Sequence, residues 1–349
     1  MTAMNNLLDM TAGSLRNKLL AWGEPGYRAR QIWRAVYQQQ VGSFQAATSL
    51  PDSLRKRLMA EFSLGNLTPV TDLRSADGRT TKALFRLPDG KKIETVLMSY
   101  RKRRTACIST QAGCALGCQF CATGQMGFER NLTVGEIVAQ ALWASRLLRT
   151  EGLTLTNIVL MGMGEPFHNY ANSLAALDRL SDAEGMAMSA RRITVSTAGL
   201  TPAIQRFAHA GRRERLAVSL HAATDELRSR LMPVNRRYPL ATLLAACREY
   251  TELTRRRLTF EWALIDGVND DVAQADALCE LLTGMHCHVN LIPLNPTADY
   301  SAAPAHRESA ARFKAQLNAA GIPATVRVRR GLDIRAGCGQ LRSQRAKAQ

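Results

Sequence analysis

Three cysteines in one short segment constrain this chain more than any other feature. Cys114, Cys118 and Cys121 follow a C-x3-C-x2-C spacing, and glycines before, between and after them give a backbone that can curl round a bound group. A 4Fe-4S cluster is normally held by four cysteines, so three would leave one iron free to bind a small molecule. A closed zinc site would need a fourth cysteine or a histidine, and the next histidine, His168, is distant in sequence. We therefore interpret the three cysteines as ligands of one cluster with an open iron.

The net charge narrows the class of partner. Lysine and arginine outnumber acidic residues by 46 to 29, giving +17, and the basic residues occur in pairs and triplets along much of the chain. This excess favours a polyanion such as RNA, because each phosphate contact releases counterions. Aromatic residues make up only 6% of the chain, which argues against a long base-stacking groove for single strands.

The amino-acid composition also indicates the cellular compartment in which the protein works. A 46% apolar and 21% charged chain is typical of a soluble globular protein. No apolar run approaches the ~20 residues of a membrane helix, and the first residues lack the features of a signal peptide. Clustered cysteines in such a chain favour metal binding or catalysis over a disulfide framework. We expect a cytoplasmic protein with no membrane segment.

The periodicity of apolar residues changes along the chain. Residues 1–65 are predicted to form short helices, and residues 66–104 a β-hairpin around a Pro-Asp-Gly turn. Six strand–helix units follow between 105 and 330, which predicts an α/β domain built as a barrel or a doubly wound sheet. The expected strands are 106–110, 157–161, 192–196, 216–220, 259–264 and 288–292, with an edge strand at 324–329. Residues 331–349 would form a C-terminal segment that carries Cys338 and a basic tail from 342 to 349.

Polar and glycine-rich segments follow several of these strands. In a parallel α/β barrel, ligands collect at the carboxyl ends of the strands. Gly164 would let the backbone approach a ligand there, and Glu165 could bind an ammonium group. The other cofactor-binding candidates are Ser196, Ser219, Leu220, His221 and Asn295. Taken singly, such residues are as often helix caps or turn residues, and His221 could equally make a structural hydrogen bond.

Three further residues are candidates for the chemistry itself. Cys338 lies among glycines and near arginines, which favours an accessible, reactive thiol. Cys107 precedes the cysteine cluster on a predicted strand. For both thiols the alternative is an unreactive surface cysteine. Glu94 lies in the second hairpin strand, and the strand pattern alone makes it an ordinary solvent-facing acid.

Motifs along the whole chain carry a resemblance to a known family. Phe120 gives the cysteine segment the form C-x3-C-x-aromatic-C, and the other motifs are, in order, IETV, MGMGEP, RRITVSTAG, AVSLHA, LMPVN, DGVND, HVNLIPLNP and CGQL. Together they resemble the radical S-adenosylmethionine (SAM) methyltransferases that methylate adenosine in bacterial RNA. The nearest branch is the dual-specificity one, which acts on carbon 2 of an adenosine in 23S rRNA and in tRNA. The resemblance implies a partial (β/α)6 barrel with a small N-terminal helical domain, which we assign to RNA binding, and a connecting β-hairpin.

The same resemblance implies a two-stage methyl transfer with two SAM molecules per turnover. One SAM would methylate Cys338, and a second, bound to the open iron, would provide the radical that abstracts hydrogen from the S-methyl group. The resulting methylene would add to the adenine and link protein to RNA. Glu94 would then remove the ring proton, and a disulfide between Cys107 and Cys338 would release the product. The strand-end residues would contact SAM. An external electron donor such as flavodoxin is implied, and we expect a monomer.

Two departures from the family pattern leave alternatives open. Leu294 stands where an aromatic residue is frequent, and Arg335 where an acid is common. A related antibiotic-resistance branch uses the same cysteines to methylate carbon 8 of the adenosine. A radical SAM enzyme with a non-RNA substrate, and an RNA-binding protein with a structural cluster, are the remaining alternatives.

Overall fold

The computed structural model describes residues 4–65 and 67–342. The predicted basic tail beyond Arg342 lies outside the described residues, so its placement stays a prediction.

Three helices form the N-terminal region, as the sequence predicts. They are α1 (Ala12–Ala21), α2 (Tyr27–Tyr37) and α3 (Asp52–Glu61), with short 3-10 turns at Leu7–Asp9 and Phe44–Ala46. Two short parallel strands, β1 (Asn5–Asn6) and β2 (Phe62–Ser63), join the two ends of this region. Helix α2 is amphipathic: Ile32, Trp33 and Val36 are buried, while Arg30 and Arg34 face solvent.

The predicted hairpin has a third strand and belongs to the main sheet. Its strands are β3 (Thr68–Arg74), β4 (Thr80–Arg86) and β5 (Lys92–Ser99), paired antiparallel. The turn after β4 closes with the Leu87 amide donating to the carbonyl of Lys91, and Gly90 adopts a positive φ of 82°. β5 then pairs with the next strand of the chain, so the segment interpreted as a linker continues the sheet.

Alternating strands and helices make up the rest of the fold. In chain order they are β6 (Arg104–Cys107), β7 (Gln111–Gly113), α4 (Ala122–Gln125), β8 (Phe128–Asn131), α5 (Val134–Thr150), β9 (Asn157–Leu160), α6 (Tyr170–Ser181), β10 (Ile193–Thr197), α7 (Thr201–His209), β11 (Arg215–Ser219), α8 (Asp225–Leu231), α9 (Leu240–Thr254), β12 (Leu258–Leu264), α10 (Val272–Leu282), β13 (Cys287–Pro293), α11 (Arg307–Ala319) and β14 (Ala324–Val326). Short 3-10 turns lie at Ala190–Arg192 and Pro233–Arg236.

Ten of these strands form one open sheet. Their order is β14-β13-β12-β11-β10-β9-β6-β5-β4-β3, and the strands from β6 to β14 in that sheet run parallel. The sheet has two free edges, β14 and β3, and side chains from β5 to β14 line one internal cavity. The α/β partial barrel predicted for this chain is therefore confirmed.

The first barrel strand ends earlier than the sequence pattern indicates. β6 stops at Cys107, whereas the expected strand continued to residue 110. The amides of Thr110 and Gln111 both donate to the carbonyl of Met163, in the loop after β9, so they have left the ladder. This departure directs the chain into the cysteine segment.

The N-terminal helices share one hydrophobic core with the barrel. Buried residues of α1 to α3 and of the barrel belong to the same continuous cluster. The indole Nε1 of Trp33 donates to Asp182 beyond α6, at 3.1 Å. Among residues 4–65 and 67–342, no helix combines the length and apolar character needed to cross a membrane.

Candidate active site

The cysteine segment is framed by a small hairpin of β7 and β8. Gly113 has a φ of 73°, and a Cβ there would lie 2.0 Å from the carbonyl oxygen of Gly127, so only glycine fits. The amide of Cys114 donates to that same carbonyl, at 2.8 Å. The hairpin thus closes the loop and directs its thiols inward.

The three predicted ligand cysteines line one cavity of about 170 Å³, which we call the cysteine cavity. Its walls also carry six of the seven predicted cofactor-binding residues: Gly164, Glu165, Ser196, Ser219, His221 and Asn295. Burial, together with the neighbouring Cys121, raises the pKa of Cys114 to about 12. Ligation of a metal would therefore release protons.

Leu220 lies elsewhere. It is fully buried in the main core and does not line the cysteine cavity. Its backbone has a structural role, because its amide donates to the carbonyl of Glu261 at 3.0 Å. The prediction that Leu220 contacts a cofactor gains no support from its position.

Glu165 is an oriented carboxylate at the edge of the cysteine cavity. It is only 3% exposed, and its two oxygens accept the amides of Phe167 at 3.0 Å and Ala198 at 2.8 Å. Burial raises its pKa to about 7, against the lowering effect of these hydrogen bonds. Gly164 has a φ of 97°, and a Cβ there would overlap Gln111, whose side chain holds the Glu165 amide at 2.8 Å. Close packing against Gln111 therefore explains why glycine occupies position 164 in this turn.

His221 makes the structural hydrogen bond that the sequence left open. Its Nδ1 accepts the amide of Ala263 at 2.8 Å, so the proton of the neutral ring is on Nε2. Its backbone lies in the left-handed region at φ 60°, where Asn269 holds its carbonyl at 2.8 Å. Burial, with Arg228 nearby, lowers its pKa to about 3. The ring remains neutral and packs edge-on to Phe120, with 4.8 Å between centroids.

Arg228 is a site residue that sequence reasoning missed. Its side chain is fully buried and donates to carbonyls at the ends of β10 and β11, those of Ala198 at 2.8 Å, Ser219 at 3.1 Å and Leu220 at 3.1 Å. It also donates to Asn235 at 2.8 Å. One guanidinium thus fixes the backbone of two predicted site residues, Ser219 and Leu220. The sequence signal that could have identified Arg228 is its position on the short helix α8, directly before the LMPVN motif.

The C-terminal segment brings Cys338 to the cysteine cavity. The amide of Ala122 donates to the carbonyl of Gly339 at 2.7 Å, and the hydroxyl of Thr123 to that of Leu341 at 2.7 Å. Asn295 Nδ2 donates to the carbonyl of Cys338 at 3.1 Å, whereas its Oδ1 is buried without a partner. An unpaired buried oxygen on the cavity wall is an acceptor available to a ligand.

Cys338 also lines a second, larger space. This lumen cavity, of about 460 Å³, runs inside the barrel and contains Cys107, Glu261, Asn290 and Arg327. Cys338 is exposed and lines both cavities, whereas Cys107 is buried in the lumen. Burial raises the pKa of Cys107, and the nearby Cys338 raises it further. Both are free thiols, so the predicted disulfide is not present in this structure.

Glu94 is buried, which overturns its interpretation as a solvent-facing acid. It is 4% exposed and forms an ion pair with Lys82 at 3.1 Å, while the amide of Arg342 donates to it at 2.9 Å. Val96 pairs with Cys107 across β5 and β6, and the period of two places Glu94 on the same face. The strand pattern failed because β5 is covered on both faces, one of them by the distant C-terminal segment.

The donor set fits the implied cofactors. Thiolate sulfur is the usual ligand of iron–sulfur clusters, and three thiols share one cavity wall. Across residues 4–65 and 67–342, no three His, Cys, Asp or Glu side chains are arranged to hold a single metal ion. The oriented Glu165 carboxylate and the free Asn295 oxygen suit the ammonium and hydroxyl or amine groups of SAM.

Family models match this arrangement. A model of the radical SAM superfamily matches residues 108–278, and one of the ribosomal RNA large subunit methyltransferase N-terminal domain matches residues 5–64. The barrel with its cysteine cavity therefore defines a radical SAM enzyme, whose family implies a 4Fe-4S cluster and SAM.

Relatives identify the family within that class. The chain is 51% identical to the dual-specificity RNA methyltransferase RlmN 1 of Myxococcus xanthus, over 97% of this chain and 94% of that protein. It is 49% identical to a probable dual-specificity RNA methyltransferase RlmN of Chloroflexus aurantiacus, over 96% and 92%. A crystal structure of a radical SAM methyltransferase from Sphaerobacter thermophilus matches with a TM-score of 0.95 and 54% identity, covering 97% of this chain and 99% of that one. This chain belongs to the dual-specificity RNA methyltransferase family, which confirms the resemblance inferred from its motifs.

Proposed function

We propose that this enzyme methylates carbon 2 of an adenosine in 23S rRNA and in tRNA, with Cys338 as the methyl carrier. The observation that carries the proposal is that Cys338 lines both the cysteine cavity and the lumen cavity. A thiol at that junction can receive a methyl group on one side and present it to a base on the other. The names of the relatives, which specify RNA and dual specificity, support the substrate class.

On the cysteine-cavity side, the residues orient the cofactors. When bound, the cluster and two SAM molecules per turnover supply the methyl group and the radical chemistry. Cys114, Cys118 and Cys121 hold the cluster, and Glu165 accepts the SAM ammonium group. Ser196, Ser219 and Asn295 contact the ribose and adenine. Arg228 acts as a positioning residue by fixing the strand ends that carry these contacts.

Three residues complete the transfer, and two of them, Cys107 and Cys338, line the lumen cavity. The adduct that joins the sulfur of Cys338 to the adenine ring would give up its odd electron to the oxidised cluster, and Glu94 accepts the ring proton. The Cys107 sulfur, having lost its proton, attacks the Cys338 sulfur. The sulfur–carbon bond breaks, its electron pair goes to the methylene, and that carbon takes a proton to become the product methyl. A disulfide remains, and a thiol reductant restores both cysteines.

The proposed reaction also indicates the compartment, the oligomeric state and the electron donor of the enzyme. We place the protein in the cytoplasm, where its RNA substrates are, and infer that it acts as a monomer. The required electrons come from a flavodoxin-type or ferredoxin-type donor.

The test compares wild type with two cysteine variants. Wild type, reconstituted anaerobically with SAM and a reductant, should yield 2-methyladenosine from tRNA and 23S rRNA, measured by nucleoside mass spectrometry. Cys338→Ala should give no product while its iron content and SAM binding stay unchanged. Cys107→Ala should accumulate a protein–RNA adduct that survives denaturation.

Each possible failure has its own meaning. An 8-methyladenosine product would move the enzyme to the carbon-8 branch. Robust methylation by Cys338→Ala would rule out the carrier role, and free methylated RNA from Cys107→Ala would rule out its resolving role.

A further inference from the structure

Five arginines surround a third cavity, of about 340 Å³. They are Arg191, Arg213, Arg215, Arg256 and Arg257, and Thr259 completes the lining. We call this group the arginine cup. Its residues come from three segments that are separate in sequence, so only the fold brings these charges together.

The arginine cup lies at the amino-terminal ends of the barrel strands. Arg191 precedes β10, Arg213 precedes β11, and Arg256 precedes β12. The cysteine segment and the SAM-binding candidates follow the carboxyl ends of their strands, at the opposite end of the barrel. Since barrel residues at the amino-terminal end usually serve stability, a ring of charges there calls for another explanation.

The charges of the arginine cup are not neutralised by the fold. Within residues 4–65 and 67–342, none of its five arginines forms an ion pair. Glu214, the acid between Arg213 and Arg215, is bound instead by Arg212 at 2.8 Å. Arg212 also binds Asp178 at 2.7 Å. Guanidinium groups around one small space repel each other, so the arrangement favours an anion among them.

The arginine cup adjoins the lumen cavity. Arg215, Arg257 and Thr259 line both spaces. The lumen continues from there to Cys107 and Cys338, so one path joins the cup to the proposed carrier thiol.

We propose that the arginine cup binds RNA phosphates next to the target adenosine, and that the base enters the lumen through this mouth. Guanidinium groups bind phosphate in a bidentate manner, and five around one cavity suit consecutive phosphates of a backbone. The phosphates set the position of the strand, and the adenosine reaches inward to Cys338. This inference rests on the proposed function, because it takes RNA as the substrate.

The experiment uses Arg191→Gln/Arg213→Gln in the full chain, reconstituted with its cluster. Neither side chain makes an ion pair or hydrogen bond among the described residues, so the fold should persist. Binding of a fluorescein-labelled, unmodified tRNA transcript is followed by anisotropy across a salt series. The Kd should rise about three- to tenfold at moderate salt, and the slope of log K against log salt should flatten by about two.

A matched control separates this site from general charge. Arg307→Gln/Arg312→Gln removes the same charge from exposed positions on α11, and should change neither the Kd nor the slope by more than a small fraction. Methylation of Cys338 by SAM, which needs no RNA, should be equal in all three proteins. For the cup variant, KM for tRNA should rise with little change in kcat.

The outcomes are distinguishable. If wild type methylates RNA and the cup variant binds tRNA with unchanged Kd and slope, the arginine cup is not the phosphate site and the proposed function stands. Equal weakening by both pairs would also overturn the cup as a defined site. If wild type neither binds nor methylates RNA, the proposed function fails first, and the inference fails with it.

Discussion

Glu94 is a carboxylate whose basicity is set by its surroundings. Burial raises its pKa above the usual glutamate value, while Lys82 and the Arg342 amide act in the opposite direction. A raised pKa makes the ionised carboxylate a stronger base than one in water. Ionisation is required for it to accept a ring proton, so its activity should increase as pH rises through the raised pKa.

This balance gives a test by pH. In a single-turnover experiment, the rate of product formation should fall at low pH, and the midpoint of this fall, the acid limb of the pH profile, should lie above the ordinary glutamate pKa. Lys82→Met removes the cation that lowers the Glu94 pKa, so the limb should move to higher pH. Lys91→Met, whose lysine pairs with Glu129 on the surface, is the control and should leave the profile in place. An unchanged profile in Lys82→Met would argue against Glu94 as the base.

At the scale of elements, the C-terminal segment completes the active site. It is held by hydrogen bonds from α4, from Asn295 and from Lys82, whose ammonium donates to the carbonyl of Arg335 at 3.2 Å. These bonds come from three separate parts of the chain. The segment therefore docks only on a folded barrel, and the position of Cys338 depends on that docking.

Thr123→Val should loosen this segment without altering the barrel. The change leaves the Leu341 carbonyl without its buried donor, which costs about 1–2 kcal/mol. Hydrogen exchange in residues 336–342 should become roughly tenfold faster, since about 1.4 kcal/mol corresponds to a factor of ten. Thr123→Ser keeps the hydroxyl and should exchange as wild type does. Equal exchange in both variants would mean that this bond does not hold the segment.

The sheet shows where element prediction failed. β3 was missed because all seven of its residues are exposed. An edge strand with no buried face has no alternation of apolar and polar residues, so its periodicity carries no signal. Pro69 is tolerated there because an edge strand has amides that need no partner. By contrast, the spacing of apolar residues predicts helices over 240–254 and 272–282, and α9 and α10, which each bury one face, have those bounds.

At the scale of the whole molecule, the N-terminal helices and the barrel are packed around one continuous hydrophobic core. Trp33 is 1% exposed, packs on Tyr37 with 4.6 Å between centroids, and has the Arg179 guanidinium 5.1 Å from its ring. One hydrophobic core thus includes residues of the barrel and residues matched by the N-terminal family model. RNA contacts on the two parts would be held in a fixed geometry.

Trp33→Ala should therefore destabilise the entire protein. Loss of the buried ring should lower the free energy of unfolding by about 3–5 kcal/mol and shift a single calorimetric transition to lower temperature. Trp33→Phe keeps most of the volume and loses the bond to Asp182, so it should cost about 1 kcal/mol. A separate early transition in Trp33→Ala would show instead that the N-terminal helices unfold alone.

The sequence by itself determined the chemistry and the class of fold. The spacing of Cys114, Cys118 and Cys121 is local, so it can be recognised without any structure. The alternation of strands and helices is also a local property, and the order of the motifs placed the family.

Only the tertiary structure decided how distant residues meet. Glu94 was misread because its cover comes from a segment more than two hundred residues away, which no local pattern contains. The roles of Arg228 and of the arginine cup depend on strand ends that are adjacent only in the folded sheet. Burial and the sharing of cavities depend on packing between segments, and packing is a property of the whole chain.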